Sequence, residues 1–153
     1  MTATAATSSP AAVARLRELA TRPVPASDRA FGRLLVGGAI VAGAALIAAS
    51  AVIHLHLWLL GYRHIHLIGP AFLGQVVSGF VIAALLLVSH RLIWVLAGVA
   101  FCAGSAVALI LSATVGFLGL HDGLDVPWAA WSLGVELAGA LLLTACVATA
   151  RWR

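Results

Sequence analysis

The sequence predicts an all-α, polytopic membrane protein, a four-transmembrane-helix bundle with both termini in the cytoplasm. Three observations carry that reading. The 153 residues are 63% apolar and 9% charged with a mean hydropathy of +1.10, whereas a soluble domain is roughly 45–50% apolar and about 25% charged. Residues 34–149 hold only Arg63, Arg91, Asp122, Asp125 and Glu136 as charged side chains. That stretch divides into apolar runs, each close to the roughly 20 residues a bilayer core demands.

Taken in order, residues 1–30 are rich in Ala, Thr, Ser, Pro and Arg, a composition that reads as a mostly disordered cytoplasmic tail. Its alternative is a short helix started by Ser9-Pro10 and stopped by Pro23. Val13, Leu16 and Leu19/Ala20 would share one face and Arg15, Arg17 and Arg22 the other, suiting it to anionic headgroups. The transmembrane domain occupies 31–153, with spans expected at about 34–60, 69–88, 92–118 and 128–148. The first is too long to lie within the bilayer core without tilting or emerging, and His54 marks the emergence. A cleaved leader with an Ala49-Ser50-Ala51 site is disfavoured, because the apolar run continues through Leu60 and 33 residues precede it. Gly69-Pro70 opens the second span, Ser89-His90-Arg91 turns the chain into the third, and Asp125-Val126-Pro127 opens the fourth.

Orientation follows from arginine, since the chain has no lysine. The tail, Arg91 and the last residues lie on one side and Arg63 alone on the other, so the expectation is a multi-pass cell-membrane protein with both ends inside. Trp58, Trp128 and Trp131 fall at outer helix ends, and Trp94 and Trp152 at inner ones, as an aromatic belt requires. This dispersed arginine also argues against nucleic acid as a partner, despite an isoelectric point near 10.5. Small residues at strict i+4 spacing suggest inward stripes: Gly38, Ala42, Leu46, Ser50 and His54; Ala71, Gln75, Gly79 and Ala83; Ala100, Gly104, Ala108, Ser112 and Gly116; Ser132, Glu136, Ala140, Thr144 and Ala148. Cys102 and Cys146 lie in apolar runs and read as buried thiols.

Helical rise places Glu136 and Ser50 at roughly 12 Å depth, Gln75 at roughly 8 Å and Ser112 at roughly 9 Å from the outer boundary. An acid that deep costs at least ~2.5 kcal/mol on insertion scales and needs a partner. The expected pocket is outward-facing and formed by His54, Arg63, Gln75 and Glu136, binding a small polar ligand. A neutral Glu136 that merely ties helices together is the alternative.

Four of the six histidines fall between His54 and His66, which suggests a zinc or copper site. His54 and His56 point about 200° apart on a helix, so the expected ligands are His64 and His66 in an extended loop, completed by His54, His121 or Asp122. Haem is not expected, because only His54 is plausibly within the membrane and His90 lies at the other end. Nothing resembles a nucleophile with its base, a phosphate loop or a dinucleotide fingerprint, so no enzymatic activity is predicted. Two other roles remain open: an accessory subunit docking another membrane protein or a second copy, and a proton- or quinone-linked redox protein.

The string from Ile53 to Gly79, with His54, Tyr62, Arg63, Gly69, Phe72 and Gln75 at its matched positions, resembles small uncharacterised four-span integral membrane proteins of actinobacteria. The resemblance implies the fold and supplies no activity.

Overall fold

The computed structural model describes residues 9–24, 30–121 and 123–149. These form α1 (Pro10–Thr21), α2 (Ala30–Leu60), α3 (Ile68–Ser89), α4 (Leu92–Thr114) and α5 (Ala129–Thr149), with a 3₁₀ turn at Tyr62–His64. Four of them, α2 to α5, are long and apolar enough to cross a membrane. The fold is the expected all-α four-helix bundle.

Packing places α2 between α3 and α5, with α4 closing the ring against α5. The α3–α4 seam is the loosest of the four. One end of the bundle carries Arg22 and Arg91 and the other carries His56, His64 and His66; these are called here the arginine and histidine ends. The two halves differ in what fills them. At the arginine end Ile40, Ala44, Ile47, Ala83, Leu86, Val95, Cys102 and Leu143 form a dry core. Toward the histidine end the buried positions turn polar, with Ser50, His54, Ser112, Ser132 and Glu136.

Lipid tails are as apolar as leucine, so close packing rather than water exclusion holds such helices together. Leu143 is fully buried and seats itself where two neighbours lack side chains. A Cβ at Gly98 would fall 2.8 Å from Leu143 Cδ1, and one at Gly43 would strike Leu143 Cδ2 at 2.5 Å.

The strict i+4 stripes are corrected by burial. Gly38, Ala42, Ala71, Ala100, Gly104, Thr144 and Ala148 are exposed. Inward positions alternate three and four apart instead: Ile40, Ala44, Ile47, Ala51 and His54 on α2, and Ala129, Ser132, Glu136, Gly139, Leu143 and Cys146 on α5. The reason is arithmetic, since four residues turn a helix about 400°, so a pure i+4 row drifts about 40° per step away from the seam.

The third span also ends early, at Thr114 rather than 118. Val115 caps it, Gly116 follows at φ 84°, and Phe117 and Leu120 then pair as a hairpin. Phe117 N donates to Leu120 O at 2.8 Å and Leu120 N donates back to Phe117 O at 2.9 Å. Between them Leu118 (φ 49°) and Gly119 (φ 82°) take the left-handed conformations of a type I′ turn. The fourth span begins at Ala129, two residues beyond Pro127, after turns in which Trp128 adopts φ 73°.

At the arginine end the short helix offered as the tail's alternative is present as α1, with Pro10 at its first position. Its exit is tied to the α3–α4 turn. Leu92 N donates to Arg22 O at 3.1 Å, Val24 N to His90 O at 3.0 Å, and Arg91 Nη1 to Ala20 O at 3.1 Å. Pro23 stands opposite Arg91 in the resulting antiparallel bridge, at the non-hydrogen-bonded pair where its missing N–H costs nothing. Val13 and Leu16 of α1 are exposed.

Candidate functional site

A cavity of about 360 Å³ lies in the histidine half, between α3 and α4. Ile68, Ala71, Phe72 and Gln75 supply one wall and Gly104, Ser105, Ala108, Leu109 and Ser112 the other. His54 and Leu57 of α2 close the back, with Tyr62, Phe117, Val126, Pro127 and Ser132 toward the histidine end. Most of this lining is apolar.

Behind it sits Glu136, fully buried. Its Oε1 accepts three hydroxyl hydrogen bonds: from Ser105 of α4 at 2.6 Å, from Ser132 one turn earlier on α5 at 2.9 Å, and from Ser50 of α2 at 3.0 Å. Three helices therefore bring the positive ends of O–H dipoles to one oxygen. Among the described residues Oε2 has no hydrogen-bond partner, and neither has Nε2 of Gln75. Both atoms are buried, and a buried polar group left unpaired costs about 1–3 kcal/mol.

His54 completes the layer. Its Nδ1 lies 2.9 Å from the Ser50 carbonyl oxygen; a carbonyl only accepts, so Nδ1 carries the hydrogen. Nε2 lies 3.5 Å from Ser105 Oγ, whose own hydrogen is directed at Glu136. The imidazole is steadied by an edge-on contact with Phe72 (centroids 5.1 Å apart), and Phe72 stacks on Tyr62 at 5.2 Å.

Of the residues expected in the pocket, His54 and Gln75 line it and Glu136 stands behind it, joined to the lining residues Ser105 and Ser132, whereas Arg63 is not part of it. Gly61 at φ 137° and the 3₁₀ turn that follows direct Tyr62 to the cavity and Arg63 outward. Arg63 is exposed, 5.9 Å over the Trp58 ring, and its Nε donates to His64 Nε2 at 3.1 Å. The backbone of Arg63 presses on Gly69, where a Cβ would lie 2.6 Å from the Arg63 carbonyl oxygen.

The expected metal ligands are not assembled. His64 is exposed in the 3₁₀ turn and His66 in the turn that follows, rather than in an extended strand, and His121 is exposed beyond the hairpin. Among the described residues no three His, Cys, Asp or Glu converge as a metal would need; Asp122 lies outside the described residues. His56 points away from His54, as expected, and meets the Trp128 ring edge-on at 5.2 Å. Ser112 leaves the polar layer to donate to Leu120 O at 3.4 Å. Sequence reasoning missed Ser105, Tyr62 and Phe72 as site residues. An alternating three-and-four reading of α4 through Val95, Gly98 and Cys102 reaches Ser105 next.

Fold and site together define a small polytopic α-helical membrane protein with a cavity lined by two neighbouring spans and a buried carboxyl behind it. The chain matches no family model, no curated protein and no solved structure.

Proposed function

We propose that this protein binds a small amphipathic ligand in the α3–α4 cavity, its apolar body between the helices and its polar end against His54, Gln75 and the Ser105–Glu136 pair. The observation that carries the reading is the pair of unpartnered buried atoms, Gln75 Nε2 and Glu136 Oε2, beside an otherwise apolar cavity of about 360 Å³. That volume lies within the range of small-molecule sites, which are mostly apolar with a few placed polar groups. The α3–α4 seam, the loosest of the four, is the route by which such a ligand would enter from lipid. A divalent ion is less well supported, because His54 and Glu136 find no third ligand among the described residues.

The arginine distribution supports an orientation with both termini in the cytoplasm and the cavity in the outer half of the membrane. Native mass spectrometry from lipid nanodiscs tests the binding role. The parent should carry one small molecule per chain, and Ala108→Trp, which fills the cavity from α4, should fold and carry none. Identical spectra for the two would refute the reading.

A second reading is supported by the three serines themselves. They join α2, α4 and α5 at one oxygen, so Glu136 acts as a bolt that sets helix register. That role uses Oε1 and leaves Oε2 and Gln75 without a purpose.

A further inference from the structure

We infer that the ligand selected by this cavity is a lipophilic amine, held as its ammonium ion. The inference rests on the binding role proposed above and names the chemistry of its ligand.

The argument starts from hydrogen-bonding capacity left unused. With Nδ1 donating to the Ser50 carbonyl, a His54 ring that carries its one hydrogen there offers Nε2 as an acceptor. Ser105 and Ser132 direct their hydrogens to Glu136 and present only oxygen lone pairs to the cavity. Behind that wall, Glu136 Oε2 has no hydrogen-bond partner among the described residues. Against these acceptors stands Gln75 Nε2, the one unpartnered buried donor among the described residues. A complementary ligand must therefore bring more donors than acceptors. An ammonium brings donors only, a hydroxyl brings one, and a carboxylate brings none. An oxygen beside the nitrogen would in addition meet Gln75.

Charge points the same way. Among the described residues, the titratable groups that face the cavity are His54, Tyr62 and, through Ser105 and Ser132, Glu136. No arginine is among the described lining residues, and the chain has no lysine. An anion would find no cation here. An ammonium beside His54 and Ser105 stands one hydroxyl from the Glu136 carboxyl, since Ser105 Oγ is 2.6 Å from Oε1. In surroundings this apolar, a charge at that separation is weakly screened. Tyr62, Phe72 and Phe117 line the remaining wall, and aromatic rings accept ammonium charge on their faces.

The test compares three probes with one tail: 4-phenylbutylammonium, 4-phenylbutanol and 4-phenylbutanoate. Each is dialysed against the full chain in phosphatidylcholine nanodiscs, and retention is counted above that of empty nanodiscs and of Ala108→Trp. The ammonium should be retained one per chain, with at least tenfold higher affinity than the alcohol, and the carboxylate should not be retained. Glu136→Gln should lower ammonium affinity at least tenfold and alcohol affinity less than twofold. Alcohol binding equal to ammonium, or a preference for the carboxylate, would overturn the amine assignment and leave a binding protein of another specificity. Retention of no probe beyond Ala108→Trp would overturn the binding role as well. If Glu136→Gln does not fold, the ranking of the probes on the parent decides alone.

Discussion

Ser105 Oγ donates to Glu136 Oε1 at 2.6 Å, shorter than the bonds from Ser50 and Ser132 to the same oxygen. This bond joins α4 to α5 at the level where the dry core gives way to the cavity. It also turns the lone pairs of Ser105 toward His54, so one hydroxyl belongs both to the helix junction and to the cavity wall.

Ser105→Ala removes that donor without changing the backbone and should lower unfolding free energy in detergent by about 0.5–1.5 kcal/mol. Combined with Glu136→Gln in a double-mutant cycle, the losses should fall short of additivity by about 0.5 kcal/mol or more. Additive losses would mean that the two side chains do not interact in the folded protein.

Replacing Glu136 separates shape from polarity. Glu136→Gln retains an amide oxygen for the three serines and should fold and melt within a few degrees of the parent. Glu136→Leu leaves three hydroxyls without their acceptor and should cost about 1–3 kcal/mol or more. Thermal unfolding followed by circular dichroism measures both, and two parent-like melts would show that the carboxyl sustains none of the serine bonds.

The Leu143 seat predicts a reciprocal effect. Gly98→Ala places a Cβ 2.8 Å from Leu143 Cδ1 and 2.9 Å from Ile47 Cδ1, so overpacking of about 1–3 kcal/mol is expected. Trimming the seated side chain in the same protein, as Gly98→Ala with Leu143→Val, should recover part of that loss. A double variant less stable than both singles would place the strain elsewhere.

Topology is checked by accessibility. With Cys102 and Cys146 replaced by alanine, a single cysteine introduced at Gly123 should react with an impermeant maleimide on intact cells. One at Ser9 should react only after lysis, and the opposite pattern would invert the proposed orientation.

Much of the fold is legible in the sequence because the bilayer enforces it: apolar runs must be helices, and Gly61, Pro70 and the Ser89-His90-Arg91 triplet mark where they break. The end of α4 is less legible. Gly116 suits both a packing stripe and a helix C-terminus, and its φ of 84° shows that the second use wins. His54, Gln75 and Glu136 could be picked out because polar atoms at that depth are expensive. Ser105 could not, since a serine in a membrane helix usually bonds its own backbone one turn back. Ser78, Ser89 and Thr114 do so here, donating to Gly74 O, Leu85 O and Ile110 O. Only the rotation of α4, fixed by Gly98 and Cys102, distinguishes Ser105 from them. Arg63 departs from its expected place for a local reason, because the 3₁₀ turn after Gly61 points Tyr62 rather than Arg63 at the cavity.

The bridge between Pro23 and Arg91 imposes a schedule on biosynthesis. α1 leaves the ribosome before α2 to α5, yet the backbone groups it docks against belong to His90 and Leu92, which are made only after α2 and α3. Until then the helix has no seat. Its docking therefore follows the synthesis of α2, α3 and the turn into α4, which makes α1 a latch that closes late on the bundle.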